Sequence, residues 1–267
     1  MEWIDTHAHL PHIADRGTAI SPFLNDSRYA VIDIGTRPGD LEERLAMKHT
    51  NPNLAFTAGL YPELAEKPQS EIDRCFEQFR ESGIAHRNEI CGIGEFGLDY
   101  HYNYGTPEKQ ASLARRQIEL AAELGLPVII HTREADADIV RLFAGYAPVR
   151  GVIHCFSSGP EIAEKLLGYG FYLSFCGNLT YKNAKPIRES AQTVPLDRVF
   201  FETDSPYLAP VPVRGTVNTP ANVEHVYRFF AELRGLSLPY LKKTAAENVR
   251  RLFGPVFLFS EPEGTTP

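Results

Sequence analysis

Six side chains able to ligate metal stand where short apolar runs give out. His7 and His9 follow Trp3–Ile4, Glu95 follows Ile90–Gly94, His131 follows Pro127–Ile130, His154 follows Gly151–Ile153, and Asp204 follows Val199–Phe201 within FETDSP. Side chains two apart on an extended strand point the same way, so both imidazoles of His7-x-His9 can address one ion; helical spacing would be three or four. One histidine at a strand end is ordinarily a hydrogen-bonded structural residue, but six donors closing five separate runs predict a metal site. Four imidazoles and two carboxylates suit Zn²⁺, Mn²⁺, Fe²⁺ or Co²⁺, or Mg²⁺ where water completes the shell. They exceed what one ion with an open catalytic position uses. Two ions about 3.5–4 Å apart, sharing a carboxylate, would use them all.

The elements that must position these donors follow from the apolar pattern. Eight runs read as strands: Trp3–Ile4, Tyr29–Ile34, Leu54–Leu60, Ile90–Gly94, Pro127–Ile130, Gly151–Ile153, Phe171–Phe175 and Val199–Phe201. Between several of them lie stretches with apolar residues at three- and four-residue spacing, such as Glu71–Ser82, Pro107–Leu124 and Glu161–Leu167. Alternating strand and helix implies a parallel sheet, and eight repeats imply closure into a (β/α)8 TIM barrel, whose loops after the strands converge on one face. An open doubly wound sheet is the alternative, but no GxGxxG follows the first strand. Val223–Arg234 and Leu241–Phe253 read as two closing helices, and 255–267 as a loose tail on a single domain spanning 1–267.

Composition agrees with an ordinary globular enzyme. The 267 residues are 43% hydrophobic and 23% charged, enough apolar material for a large core. The start MEWIDTHAHL has neither the basic nor the apolar region of a secretory signal, and no stretch approaches the roughly 18 apolar residues of a membrane span; a cytoplasmic protein with no membrane partner is expected. Cys75, Cys91, Cys155 and Cys176 are scattered without CxxC spacing and read as reduced thiols. The net charge of −7 offers no basic field to attract nucleic acid, although bound cations would add local positive charge. No dedicated protein partner is evident.

The segments DTHAHL, GEFGLDY, HTREA, HCFSS and FETDSPYLAP, followed by RGTVNTP and TAAENVRRLF, resemble in order the signature segments of the TatD family of metal-dependent hydrolases, from the first residues to about Phe253. The resemblance implies an amidohydrolase-like TIM barrel, deoxyribonuclease activity and DNA as substrate. By position it implies that His7, His9, Glu95 and Asp204 hold one ion and that Glu95, His131 and His154 hold the other, with Glu95 as the bridge. Two segments depart from the family pattern. GLYPE puts Tyr61 and Glu63 where imidazoles are frequent, and the late loop Arg214–Pro220 lacks the usual Lys and Glu.

Phosphodiester hydrolysis needs an activated water and neutralisation of charge on the transferring and leaving oxygens, and paired divalent cations such as Zn²⁺, Mg²⁺ or Mn²⁺ supply both. Asp204 and Glu95 are the expected catalytic carboxylates, with Asp204 accepting a proton from the water. Glu202, two before Asp204, is expected to face the same side and to bond a ligating imidazole. Arg133 and Arg214 could grip phosphate through bidentate hydrogen bonds. Asp99 is expected to order its loop rather than act as an acid. Cys155 should turn away from the face His154 addresses, which argues against a thiol nucleophile. His12, His49, His86, His101 and His225 read as surface or loop residues. The same ligands also suit an amide or ester hydrolase, such as a cyclic amidase or an aminoacyl-tRNA deacylase, and a metal-binding descendant without activity remains open.

Overall fold

In the computed structural model, residues 2–13, 26–49, 51–102 and 104–257 are described. Eight strands follow one another around a single parallel sheet: β1 (Trp3–Ala8), β2 (Tyr29–Asp33), β3 (Leu54–Ala58), β4 (Ile90–Asp99), β5 (Val128–Arg133), β6 (Gly151–Ile153), β7 (Tyr172–Phe175) and β8 (Val199–Phe201). The first and last meet through a parallel bridge between Ala8 and Ser205. Asp204 N–H donates to His7 O at 2.9 Å and His9 N–H to Ser205 O at 2.8 Å. The sheet thus curls into the expected barrel, and its closure lies beside His7, His9 and Asp204.

The apolar runs locate the strands but stop short of three of their ends. β1 continues through His7, β4 through Glu95 to Asp99, and β5 through His131 to Arg133, so these donors lie within strands rather than after them. A polar residue can stay in the ladder here because it faces the barrel mouth instead of the helix layer. The register shifts between Asp5 and Ala8 on β1 and between Ile93 and Phe96 on β4. Such irregularities re-aim side chains.

The helices are α1 (Leu41–Leu45), α2 (Gln69–Ala85), α3 (Pro107–Leu124), α4 (Asp136–Phe143), α5 (Pro160–Gly168), α6 (Lys185–Thr193), α7 (Val223–Arg234) and α8 (Leu238–Phe253). α2, α3, α5, α7 and α8 match the periodic stretches; α1, α4 and α6 are not marked by the apolar spacing. α3 shows why its bounds are legible. The Thr106 side chain accepts the Lys109 N–H at 3.3 Å, Pro107 opens the first turn, and Gly125 closes the helix in a left-handed conformation.

Side chains alternate along the strands between two cores. One faces the helices. The other takes Ile4, Ala30, Ile32, Ala55, Cys91, Ile129, Val152, Tyr172 and Phe200, at least one from each strand, and joins them to Val249, Leu252 and Phe253 of α8. Most of these come from the first half of their strand, so α8 plugs the N-terminal end of the barrel and leaves the C-terminal end open. No helix among the described residues is long and apolar enough to cross a membrane.

Beneath the open end, Arg44 is buried at the end of β2. Its guanidinium donates to Asp33 Oδ2 and Asp33 O, both at 2.6 Å, to Thr57 O at 2.9 Å and to Asp40 Oδ1 at 3.2 Å. Removing one partner of a buried ion pair costs about 3–5 kcal/mol, because the other charge stays behind unpaired. Arg44→Leu should therefore lower the unfolding free energy by about that much in urea denaturation, and a loss under about 1 kcal/mol would show that water reaches Asp33.

Candidate metal centre

At the open end the side chains of β1, β4, β5, β6 and β8 converge on Glu95. Its Oε2 lies 2.9 Å from His7 Nε2 and 3.0 Å from His154 Nε2, and its Oε1 lies 3.9 Å from His9 Nε2. Asp204 Oδ1 is 3.4 Å from His9 Nε2 and 3.8 Å from His7 Nε2. His7 and His9 bring their Nε2 atoms to 3.3 Å, and His131 Nδ1 is 3.1 Å from His154 Nε2. The His7 and His154 rings stack in parallel at 3.9 Å. Donor atoms of His7, His9 and Glu95 form one group within ligating range, and those of Glu95, His131 and His154 a second. Glu95 belongs to both.

The backbone that presents these donors is unusual. Asp204 has φ of 54°, a left-handed conformation that costs a non-glycine residue of order 1–3 kcal/mol and tends to occur where function requires it. Gly97 is needed for a different reason: a Cβ there would lie 1.9 Å from His131 O, so β4 can approach β5 beside the ligands only without a side chain. Asp5 ties β1 to β8 below the cluster. It accepts the Thr203 N–H at 2.9 Å, the Thr203 hydroxyl at 2.5 Å and the His7 N–H at 3.2 Å, and burial pushes its carboxyl well above the usual range despite those bonds.

Charge at the centre is out of the ordinary. Burial opposes ionisation of Glu95, yet His154 and His7 hold its carboxyl well below the usual carboxylate range. His154, which burial alone would discharge, is held well above the ordinary imidazole value by Glu95 and Glu202. Burial lowers His7, and the charge on His154 lowers it further. Burial likewise opposes charge on Asp204, but His9, His154 and His7 bring its carboxyl below its usual value. Among the described residues, no lysine or arginine pairs with Glu95 or Asp204, so only imidazole lies near enough to balance the two carboxylates. Glu95 Oε2 and the Nδ1 atoms of His7, His9 and His154 have no hydrogen-bond partner. Glu95 Oε2, a buried acceptor faced by His7 Nε2 and His154 Nε2 at 2.9 and 3.0 Å, fits a divalent cation that would replace the imidazole proton.

Behind the ligands, Asp99 sets the orientation of His131. Its Oδ2 lies 3.1 Å from His131 Nε2 and accepts the Tyr61 hydroxyl at 3.1 Å, while Oδ1 accepts the N–H groups of His101 at 3.0 Å and Tyr102 at 3.2 Å. Burial opposes the charge on Asp99, but His131 and these donors lower its carboxyl, so it stays ionised. An ionised acceptor requires the proton on Nε2, which frees the Nδ1 lone pair for the centre. Tyr61, the departure in GLYPE, thus stands against His131, its hydroxyl 3.2 Å from Nε2. Glu202 Oε1 is 3.3 Å from His154 Nδ1, off the line of a hydrogen bond, and accepts the Cys155 N–H at 2.6 Å.

A cleft of about 790 Å³ opens above the donors. Arg133 lines it, with its guanidinium 4.8 Å over the Tyr102 ring. Arg214 is not brought there; it is exposed and sits 4.3 Å over Tyr181. Cys155 corrects the expectation from strand alternation: β6 ends at Ile153, Cys155 adopts φ of 45°, and the residue lines the cleft beside His154. His12 also lines it, stacked 5.3 Å from His9, whereas His101 pairs with Glu134 at 2.7 Å. Arg37, Tyr102, Tyr104, Asn178 and Tyr207 are further lining residues. Each comes from a loop or, for Asn178, a single 3-10 turn, where no periodicity marks a facing.

Residues 4–254 match the model of a family described as TatD related DNase. The chain is 36% identical over 259 residues to the uncharacterized metal-dependent hydrolase YcfH of Escherichia coli strain K12, covering 94% of this chain and 95% of that one. It is 40% identical over 172 residues to the uncharacterized metal-dependent hydrolase YabD of Bacillus subtilis, covering 64% and 68%. Among solved structures, the TatD homologue YJJV of Escherichia coli superposes with a TM-score of 0.86 at 25% identity, covering 94% of this chain and 98% of that one.

If Asp99 fixes the tautomer of His131, Asp99→Asn should weaken metal affinity about 10- to 100-fold, as the loss of such orienting partners does. Competition of the purified protein with a chelating dye for Zn²⁺ measures this, and unchanged affinity would show that His131 is oriented by other contacts.

Proposed function

Because the chain belongs to the TatD family, we propose that it is a metal-dependent phosphodiesterase that cleaves DNA, acting on single strands from an end, with two divalent cations seated at Glu95. Glu95 carries this reading: one buried carboxylate lies within 3.0 Å of imidazoles from two donor groups, the arrangement a bridging ligand requires. His7, His9, Glu95 and Asp204 would hold one ion, and Glu95, His131 and His154 the other, with Zn²⁺, Mg²⁺ and Mn²⁺ all compatible with nitrogen and oxygen donors. Bound there, the pair would acidify a water to supply the nucleophile near neutral pH and neutralise charge on the phosphate and the leaving oxygen.

The chain's own groups do the rest. Glu95 and Asp204 are ionised by their surroundings, so neither needs to lose a proton before ligating. Asp204, at the cleft wall, accepts the proton of the attacking water and returns it to the leaving oxygen. Arg133 rests one guanidinium face on Tyr102, which leaves its N–H edge to hold a non-bridging phosphate oxygen. The acidic net charge is no obstacle, because the bound ions would dominate the local field. Cys75, Cys91, Cys155 and Cys176 are all free thiols, which supports a reducing, cytoplasmic place of action.

Asp204→Asn, loaded with metal to the wild-type content as checked by elemental analysis, should lower kcat on a single-stranded oligonucleotide by about 10²- to 10⁴-fold, the range typical of lost general acid–base catalysis. Near-normal turnover by the metal-loaded variant would remove the proton-transfer role. Robust hydrolysis of acyl esters or cyclic amides by metal-loaded wild-type protein that leaves every oligonucleotide intact would replace the phosphodiesterase reading with an amide or ester hydrolase.

A further inference from the structure

Two of the few large exposed apolar side chains flank the metal-binding cleft: Tyr102 is 53% exposed and Tyr207 51% exposed, and both line it. A half-exposed tyrosine ring beside a cleft offers a flat apolar face to whatever enters it. Neither ring is on a loose tether. The Tyr102 N–H is bonded to Asp99, the carboxylate that orients His131, and its ring is braced by Arg133 at 4.8 Å, His101 at 4.9 Å and Tyr104 at 5.4 Å. The Tyr207 N–H donates to Asp204 O at 2.9 Å, its carbonyl accepts Asn218 Nδ2 at 2.6 Å, and its ring lies 6.1 Å edge-on from His9. Each platform is therefore held at a set distance from the donor cluster, one after β4 and one after β8. Their phenols are near enough that Tyr102 contributes, after burial, Asp204 and Glu95, to raising the pKa of Tyr207.

We propose that Tyr102 and Tyr207 are stacking platforms for unpaired bases of a DNA strand, one on each side of the phosphate presented to Glu95 and Asp204. This inference rests on the phosphodiesterase reading and deepens it by assigning the selection of single strands to two named rings. A base inside a duplex has both faces covered by its neighbours and must be unstacked before it can lie on a protein ring. Every base has such a face, so the selection is for the unpaired state and tolerates sequence. Arg133, already stacked on Tyr102, is placed to hold the adjoining phosphate.

The test compares wild-type protein with Tyr102→Leu, Tyr207→Leu and the conservative Phe variants, on a single-stranded oligonucleotide and on the same strand carrying abasic sites beside the scissile phosphate. Base–aromatic stacking of the usual strength corresponds to about a 5- to 150-fold loss on truncation of the ring. Each Leu variant should lose about that factor in kcat/KM, mainly through KM, on the ordinary strand and lose little on the abasic one. The Phe variants should stay near wild type, and metal content should be unchanged throughout. Fluorescence anisotropy of metal-loaded protein with a labelled, cleavage-resistant phosphorothioate single strand should show the same loss of affinity without turnover. Equal losses on ordinary and abasic strands, or wild-type cleavage of duplex interiors as fast as of single strands, would overturn the platform while leaving the phosphodiesterase reading intact. Failure of metal-loaded wild-type protein to cleave any DNA would overturn both.

Discussion

The centre depends on a carboxylate placed where water cannot stabilise it. Glu95 is 3% exposed, and an ionised carboxylate in such a position must be matched by nearby positive charge or take up a proton. Its nearest partners are imidazoles, whose ring nitrogens bring either a proton or a lone pair. With protons they pair directly with Glu95; with lone pairs they and Glu95 share cations. The geometry serves both states, because the donor atoms already face one another at 2.9–3.0 Å. Since both states use the same donors, metal binding and proton release at this site are coupled.

Holding five strands to that geometry is the work of the barrel. Asp5 joins β1 to β8 just beneath the ligands, Arg44 ties the end of β2 to β3 and α1, and Asp99 links β4 to His131 of β5 and to the loop carrying Tyr102. Each is a charged or polar group with almost every bond satisfied, unlike the ligands, several of whose atoms have no partner. Complete satisfaction in the supporting layer and deficiency at the centre are two parts of one design. The first makes the scaffold rigid, and the second leaves valence for a ligand from outside.

The cleft is charged and aromatic at once. Glu95, Asp204, His9, His131 and His154 line it together with Arg133 and the half-exposed rings of Tyr102 and Tyr207. Donors of this kind address a small, hard, charged group, and flat rings address flat, polarisable ones. A nucleotide has both parts joined by a sugar. The overall negative charge of the chain therefore says little about what enters, because the recognising surface is local.

The sequence by itself determined which chemistry was available. Imidazoles and carboxylates at the ends of apolar runs named all six candidate donors, and the alternation of strand-like and helix-like periodicity named the barrel, since both signals are local and depend only on residue type and spacing. Tertiary structure alone decided how those groups are used. That β4 runs on to Asp99, that Asp99 rather than a backbone group holds His131, and that Cys155 turns into the cleft follow from register shifts and left-handed backbone that no period records. The rings of Tyr102 and Tyr207 and the stray position of Arg214 depend on irregular loops, whose facing is set by contacts between segments distant along the chain. Periodicity reports what repeats along a strand or helix, whereas a cleft is built where the repeats end.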